Sequence, residues 1–176
     1  MKWVLIAIGV VVGLGVVVFV IGALLPRAHV ATVEAVYGAA ADRVFATIAD
    51  VRGGVEWRTG LEQVEILSAP NEPLRWREKS SFGTLTFRRD EYIPSARLIG
   101  RIDDTSQGFG GRWIYELEPR GERTVLRITE EGEVHNPMFR FMARYVFGHY
   151  RTLEQYARDL GRHLGEDVAP VRTARS

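Results

Sequence analysis

The chain has 176 residues, no cysteine and a formal net charge of +1. The absence of cysteine excludes a fold held by disulfides. Apart from Lys2, the 22 basic residues balance 22 acidic ones, which argues against the basic excess of a nucleic-acid binder, so we expect no nucleic acid among the partners.

The first element is a run of 23 uncharged residues from Trp3 to Leu25. At about 1.5 Å per residue, a helix of this length spans roughly 34 Å, more than a hydrocarbon core of roughly 30 Å. A cleaved signal peptide is the alternative, but its apolar region is usually only about 7–15 residues long and precedes a small-residue cleavage site. Arg27 and His29 stand where that site would be. The sequence therefore predicts an uncleaved transmembrane helix over residues 1–25 and a single-pass membrane protein.

The basic residues that flank this helix bear on its orientation. Lys2 precedes the helix and Arg27 follows it, so the two sides nearly balance and either topology satisfies the positive-inside rule. We favour the N-terminus inside, with the soluble domain on the non-cytoplasmic side.

Residues 26–165 are predicted to form one domain, because a segment of this length can bury a sizeable core. Its predicted order is a strand, a helix, a second short helix, six strands and a long helix. The predicted ranges are His29–Tyr37, Ala39–Asp50, Val51–Gly60, Leu61–Leu67, Leu74–Phe82, Thr84–Ile93, Arg97–Asp104, Arg112–Glu118, Thr124–Val134 and Pro137–Leu164. Turn residues separate the strands at hairpin distances, which predicts an antiparallel meander. Residues 166–176 are polar and are predicted to be a disordered tail.

The long helix, Pro137–Leu164, is the element around which the domain is predicted to fold. Large residues recur in it at steps of three and four, which places them on one helical face. Pro137 suits a first turn, and Asn136 suits an N-cap. A curved antiparallel sheet needs a cover for its apolar face, and this helix can supply it.

Several stretches carry a resemblance to a known superfamily. They are AAADRVFATIAD after the first strand, Trp57 in the short helix, the turn at Pro94, GGRWIYELEP, and ITEEGEVHNPMFRFMARYV leading into the last helix. With the element order, the chain resembles the SRPBCC or helix-grip superfamily of START domains, Bet v 1-like allergens and polyketide cyclases, in particular its polyketide cyclase/dehydrase and lipid-transport group. The resemblance covers about Pro26 to Leu164.

The resemblance implies an α+β helix-grip fold. In such a fold a curved seven-stranded antiparallel sheet wraps around the C-terminal helix and encloses a cavity for a hydrophobic ligand. The predicted transmembrane helix is a departure, since many members of the superfamily are soluble.

Alternation along the strands and the stripe on the last helix predict which side chains face this cavity. Leu126, Ile128 and Leu153 are inward-facing apolar positions. The candidate ligand-binding residues are Trp76, Glu78, Phe87, Arg89, Glu91, Trp113, Tyr115, Glu130, Met142, His149 and Tyr156.

The charged candidates admit two interpretations. Arg89 can pair with a neighbouring glutamate, leaving other carboxylates with raised pKa values to orient a ligand's hydroxyl or amine. Alternatively, bulges turn some of them to solvent, or they form a structural ion-pair network. His149 is either an acid–base residue or a satisfied core histidine. The aromatic residues are either a ligand wall or plain core.

The favoured function is a membrane-anchored binding protein for a lipid or other hydrophobic small molecule. One alternative is a cyclase- or aromatase-like enzyme with His149, Glu130 and Tyr115 as proton carriers. Another is a scaffold whose cavity its own side chains fill. The four histidines are widely spaced and no nucleophile motif occurs, so the sequence predicts no metal, no cofactor and no assigned catalytic residue.

Overall fold

The computed structural model describes residues 2–81, 83–103 and 108–173. Its helices are α1 (Lys2–Leu24), α2 (Ala41–Ala49), α3 (Gly54–Trp57), α4 (Pro137–Met142) and α5 (Arg151–Leu164), with a π-helical turn (Ala143–Phe147) after α4. Its strands are β1 (Ala28–Tyr37), β2 (Leu61–Ile66), β3 (Arg75–Ser80), β4 (Gly83–Ile93), β5 (Arg97–Ile102), β6 (Phe109–Arg120), β7 (Arg123–Val134) and β8 (Val171–Thr173). The predicted strand ends at Phe82 and Asp104, and tail residues 174–176, lie outside the described residues.

Within the described residues, eight strands form one open antiparallel sheet in the order β2-β3-β4-β5-β6-β7-β1-β8. Strands β2 to β7 follow one another as a meander. β1 then pairs with β7 along its whole length, from Ala28 opposite Glu133 to Tyr37 opposite Thr124. The predicted α+β architecture, an antiparallel sheet with a C-terminal helix, is confirmed.

The eighth strand differs from the predicted seven strands and from the predicted disorder of residues 166–176. Val171–Thr173 pairs with β1, Val168 is buried, and Glu166 accepts a hydrogen bond of 2.6 Å from the N–H of Gly38. The polar composition of the tail favoured disorder. An edge strand, however, presents unpaired backbone donors and acceptors, and a segment of almost any composition can pair with them.

The core lies between α5 and the inner face of the sheet. α5 is amphipathic, and its buried apolar residues lie at steps of three and four: Leu153, Tyr156, Ala157, Leu160 and Leu164. Alternate residues of the facing strands are buried against it: Ala31, Val33, Ala35, Tyr37, Leu126 and Ile128. Burying each large aliphatic side chain contributes roughly 1.5–3 kcal/mol. The Tyr37 hydroxyl also donates a 2.9 Å hydrogen bond to the Ala157 carbonyl, which fixes the helix on the sheet.

The last helix is not continuous, contrary to the prediction of one helix over Pro137–Leu164. It begins as predicted, with the Asn136 side chain accepting a 2.9 Å hydrogen bond from the N–H of Met138. After the π-helical turn, Gly148 adopts φ 72° and ψ 154°, a conformation that strains any residue except glycine. Large residues keep helical spacing on both sides of this break, so periodicity alone did not reveal it.

A β-bulge in β4 changes which side chains face inward. Arg89 lies opposite Gly100, whereas Glu91 lies opposite Ile99, so β4 holds one extra residue between these two pairs. Beyond the bulge Glu91 lies on the outer face, where its Oε2 is 3.3 Å from Nε of Arg97. The prediction that Glu91 faces the cavity is therefore wrong, because one inserted residue reverses the alternation of a strand.

Candidate functional site

An aromatic cluster lies where α5 meets α3 and β6. The ring of Tyr156 is buried, with its centroid 5.1 Å from that of Trp57 and 5.6 Å from that of Trp113. Both tryptophans meet it edge-on, at interplanar angles of 74° and 72°, a geometry that aromatic quadrupoles favour. Tyr115 lies 5.5 Å from Tyr156. The structure thus brings together three predicted residues: Trp113, Tyr115 and Tyr156.

A buried ion pair adjoins these rings. Arg58 donates two hydrogen bonds to Glu78, from Nη1 to Oε1 at 2.7 Å and from Nη2 to Oε2 at 2.9 Å. Trp76 Nε1 donates a third to Oε1 at 2.9 Å. The Arg58 guanidinium also lies 5.5 Å from the centre of the Tyr156 ring. We call this set the Tyr156 cluster: Trp57, Arg58, Trp76, Glu78, Trp113, Tyr115 and Tyr156.

The two members of the ion pair differ in exposure. The Glu78 side chain is 9% exposed, and that of Arg58 is 27% exposed. A buried carboxylate with a bidentate arginine and an indole N–H has its hydrogen-bonding capacity largely met. Solvent, or a ligand that replaces solvent, therefore reaches this pair from the arginine side.

The electrostatics of the cluster favour hydrogen bonding over base chemistry. Burial raises the pKa of Tyr115 well above its usual value and, against the opposing effect of Arg58, raises the pKa of Tyr156 to about 12. Both phenols are therefore protonated near neutral pH, and each lies close enough to influence the pKa of the other. Burial disfavours the charge on Arg58, but Glu78 outweighs it and the net pKa of Arg58 is raised. The cluster offers aromatic faces, neutral hydroxyls and one paired cation.

The loop that carries Arg58 is fixed to α5 by a buried carboxylate. Asp159 is 2% exposed and accepts from the N–H of Thr59 at 2.8 Å and from the Thr59 hydroxyl at 3.1 Å. It also accepts from Gln155 Nε2 at 2.7 Å and from Arg162. Because Thr59 follows Arg58 in the chain, these bonds hold the guanidinium against the Tyr156 ring.

Phe87 and Arg89 lie near the cluster but make different contacts. Phe87 stacks on Trp76, with ring centroids 5.5 Å apart at 17°. Arg89 Nη2 donates to the Ala49 carbonyl at 2.7 Å, and its guanidinium lies 4.9 Å from the centre of the Tyr92 ring. Burial lowers the pKa of Arg89. In the contacts that the structure describes, Arg89 thus binds a carbonyl and a ring in place of the predicted glutamate.

Glu130 and His149 belong to a second polar group, together with His29. The imidazole rings of His29 and His149 stack with centroids 4.0 Å apart, and His29 Nε2 lies 3.4 Å from Glu130 Oε1. Glu130 pairs with Trp113 across β6 and β7, so this group adjoins the Tyr156 cluster on the inner face. Met142, the last of the predicted residues, is half-buried at the end of α4.

We expect His149 to make the folded protein less stable in acid. Burial, reinforced by the neighbouring His29 and Arg144 and opposed by Glu130, lowers its pKa below 6.5. As the pH falls, the unfolded chain therefore takes up a proton at this histidine before the folded protein does. The contribution of His149 to the free energy of unfolding is fully present above the pKa of the unfolded chain. It is lost as the pH falls from that pKa toward the lower pKa of the folded protein. The urea midpoint of the parent protein should fall between neutral pH and about pH 5.5. In His149→Asn this fall should be smaller. An unchanged difference between the two midpoints would contradict this role.

Some residues of the site were not found from the sequence. The sequence does not single out Arg58 or His29 as site residues, and Trp57 enters only among the residues that carry the family resemblance. A buried glutamate requires a cationic partner, which is a signal for Arg58. Many arginines follow in the neighbouring strands, however, and the sequence does not show which of them meets Glu78.

A separate cleft of about 660 Å³ lies near the starts of β1 and β6 and the ends of β5 and β7. Its lining mixes arginines with glutamates, including Arg101, Arg112, Glu131 and Glu133, and no side chain of the Tyr156 cluster contributes to it. This charged lining does not suit a hydrophobic ligand. Among the described residues, no three His, Asp or Glu side chains are arranged to hold a metal ion.

Comparison with known proteins places this geometry in context. Residues 28–161 match the profile of a family described as polyketide cyclase / dehydrase and lipid transport. The Zhui aromatase/cyclase from Streptomyces sp. R1128 is similar in structure, with a TM-score of 0.62, 20% identity, and coverage of 75% of this chain and 92% of that chain. No curated protein matches the chain significantly in sequence.

Two further solved structures have the same fold. A START superfamily protein from Mycobacterium smegmatis has a TM-score of 0.63 at 18% identity, covering 80% of this chain and 98% of its own. Norcoclaurine synthase from Thalictrum flavum has a TM-score of 0.61 at 13% identity, covering 79% and 87%. At these identities the structural likeness establishes the fold and leaves activity to be argued from the site.

Proposed function

This chain belongs to the polyketide cyclase / dehydrase and lipid transport family, and we propose that it binds a lipid or other hydrophobic small molecule between the sheet and α5 while α1 anchors it in a membrane. The observation that carries the proposal is the Tyr156 cluster. Hydrophobic binding sites are mostly apolar and contain a few placed polar groups. Five aromatic side chains around one buried ion pair match that description.

The chemistry of the cluster indicates the kind of ligand. Trp57, Trp113 and Tyr156 offer faces and edges to a flat or chain-like apolar body. The partly exposed Arg58 and the protonated hydroxyls of Tyr115 and Tyr156 suit an oxygen acceptor such as a carbonyl, carboxyl or hydroxyl group. We therefore propose an apolar ligand with one oxygen-bearing end, held near Arg58.

The N-terminal helix supports the membrane part of the proposal. α1 is long and apolar enough to span a bilayer, and its large side chains are exposed, which a core helix of a soluble protein would not show. Three residues separate α1 from β1, so an anchored domain lies beside the bilayer surface. This position raises the local concentration of a lipid-like ligand. Placement of the domain on the non-cytoplasmic side stays a prediction.

Native mass spectrometry of the full-length protein, released from detergent, tests the proposal. We expect one apolar species per chain, which extraction and fragmentation then identify. An empty protein that also fails to take up fluorescent fatty acids, isoprenoids and polyaromatic ketones would overturn the proposal and favour the scaffold interpretation.

A matched pair of variants locates the site. Glu78→Gln weakens the hold on Arg58 inside the cluster, whereas Glu65→Gln alters an exposed ion pair with Arg77 on the outer face. We expect Glu78→Gln to lower ligand affinity about tenfold, the effect of roughly one charged hydrogen bond. Glu65→Gln should leave the affinity unchanged. Equal affinities in both variants would place the ligand elsewhere.

A further inference from the structure

The α4 surface is an exposed apolar patch formed by α4 and the π-helical turn. Its large side chains have exposed fractions of 40% to 60%: Met138, Phe139, Tyr145 and Val146. Soluble proteins rarely expose neighbouring large apolar side chains unless these meet a partner or a membrane. The apolar stripe on α5 is buried in the core of the domain. These four side chains, in contrast, are exposed and do not belong to the Tyr156 cluster.

α4 is packed directly on the end of α1. Gly22 is buried under Pro137, and a Cβ atom at this glycine would overlap the Pro137 carbonyl oxygen. Arg140 is 8% exposed, and its Nη1 donates to the carbonyl of Leu25 at 2.8 Å and to that of Ala23 at 3.4 Å. These carbonyls have no partner within α1, because the last carbonyls of a helix lie beyond its own N–H groups. The guanidinium therefore caps α1 and holds α4 to it.

This packing sets the depth of α4 relative to a bilayer. Gly22 lies two residues before the end of α1 at Leu24, which is about 3 Å along the helix axis. A membrane-spanning helix of 23 residues ends close to the boundary between acyl chains and head groups. α4 is thus placed at this boundary, where amphipathic segments bury their apolar face and where tyrosine is enriched.

The charges around the α4 surface suit anionic head groups. Residues 134–153 contain three arginines and no aspartate or glutamate. Arg140 is used to cap α1, whereas the side chains of Arg144 and Arg151 are exposed, as is Arg27 just after α1. Arginines that flank an apolar surface at this depth lie at the level of lipid phosphates, and an anionic membrane attracts them.

We infer that the α4 surface lies in the head-group region of the same leaflet in which α1 ends, with Met138, Phe139, Tyr145 and Val146 inserted among the lipids. This inference rests on the membrane anchoring in the proposed function. It also explains the break at Gly148: the half of the last helix before it lies on the bilayer, and the half after it packs inside the domain.

Site-specific fluorescence of the full chain tests the inference, and the absence of native cysteine makes single labels clean. Val146→Cys and Val36→Cys replace valines of similar exposure, 57% and 52%, on the α4 surface and on the outer face of β1. Val12→Cys lies in the middle of α1 and reports on the anchor. Each variant carries an environment-sensitive dye and is reconstituted into vesicles of phosphatidylcholine and phosphatidylglycerol in equal proportion. Lipid-borne nitroxides, either near the head group or deep in the acyl chain, then report depth.

We expect the label at position 146 to be quenched most by the shallow nitroxide and to be severalfold less accessible to aqueous iodide than the label at position 36. The label at position 12 should be quenched most by the deep nitroxide. If position 146 behaves like position 36 while position 12 is deep, the inference fails and the anchor stands. If position 12 also behaves like position 36, both the anchor and the inference fail. If the label at position 146 is quenched more by the deep nitroxide than by the shallow one, the α4 surface does not lie in the head-group region and the inference fails.

Discussion

Leucine in place of Arg58 should lower the free energy of unfolding by about 3 kcal/mol, the low end of the cost of removing one partner from a buried ion pair. The substitution leaves the Glu78 carboxylate, 9% exposed, with the indole N–H of Trp76 as its remaining donor in the cluster. The partial exposure of Arg58 admits some solvent, which places the cost at the low end. Urea unfolding followed by tryptophan fluorescence measures it.

Two controls separate this loss from a general effect of removing arginine. Arg77→Leu breaks an exposed pair with Glu65, of the kind that contributes roughly 0–1 kcal/mol. The double variant Arg58→Leu with Glu78→Leu removes both charges, and such replacements are often neutral. We expect it to regain most of the stability but not the ligand affinity. A double variant as unstable as Arg58→Leu alone would show that the site does not repack and would contradict the assigned cost of an unpaired carboxylate.

Strand alternation predicted the inner face where the strands are regular. Trp76 and Glu78 in β3, and Trp113 and Tyr115 in β6, face inward as predicted, because a side-chain period of two is fixed by the pleat. The same rule failed at Glu91, where a bulge inserts one residue into β4. Nothing in the composition of this segment signals the bulge.

Helical periodicity likewise gave the buried face of α5 but not the break before it. Gly148 lies between large residues that keep the spacing, and its positive φ ends the π-helical turn three residues before α5 begins. The tail shows a related limit, since β8 forms by using a vacant sheet edge and not by burying apolar residues. The tail is thus decided by backbone pairing with a distant strand, and the helix break by the backbone conformation of one glycine. A local hydrophobic pattern encodes neither.

Truncation of Tyr156 to alanine should lower the free energy of unfolding by about 3–5 kcal/mol, as for other large aromatic residues removed from a core. Its ring is 7% exposed and touches Trp57, Trp113 and Tyr115, so the neighbours cannot all close on the space. Tyr145→Ala, on a side chain that is 60% exposed, is the matched control and should change the unfolding free energy by less than about 0.5 kcal/mol.

Tyr156→Phe separates the structural role of this residue from its role in binding. It keeps the ring and removes only the buried hydroxyl beside Tyr115, which should cost about 1–2 kcal/mol of stability. If the cluster holds the oxygen-bearing end of a ligand, affinity should fall by a similar free energy, about tenfold, while the protein stays folded. If the interior is only a filled core, Tyr156→Phe and the parent protein will both take up no ligand, and the alanine variant will be the first in the series to bind small aromatic molecules, in the space it creates.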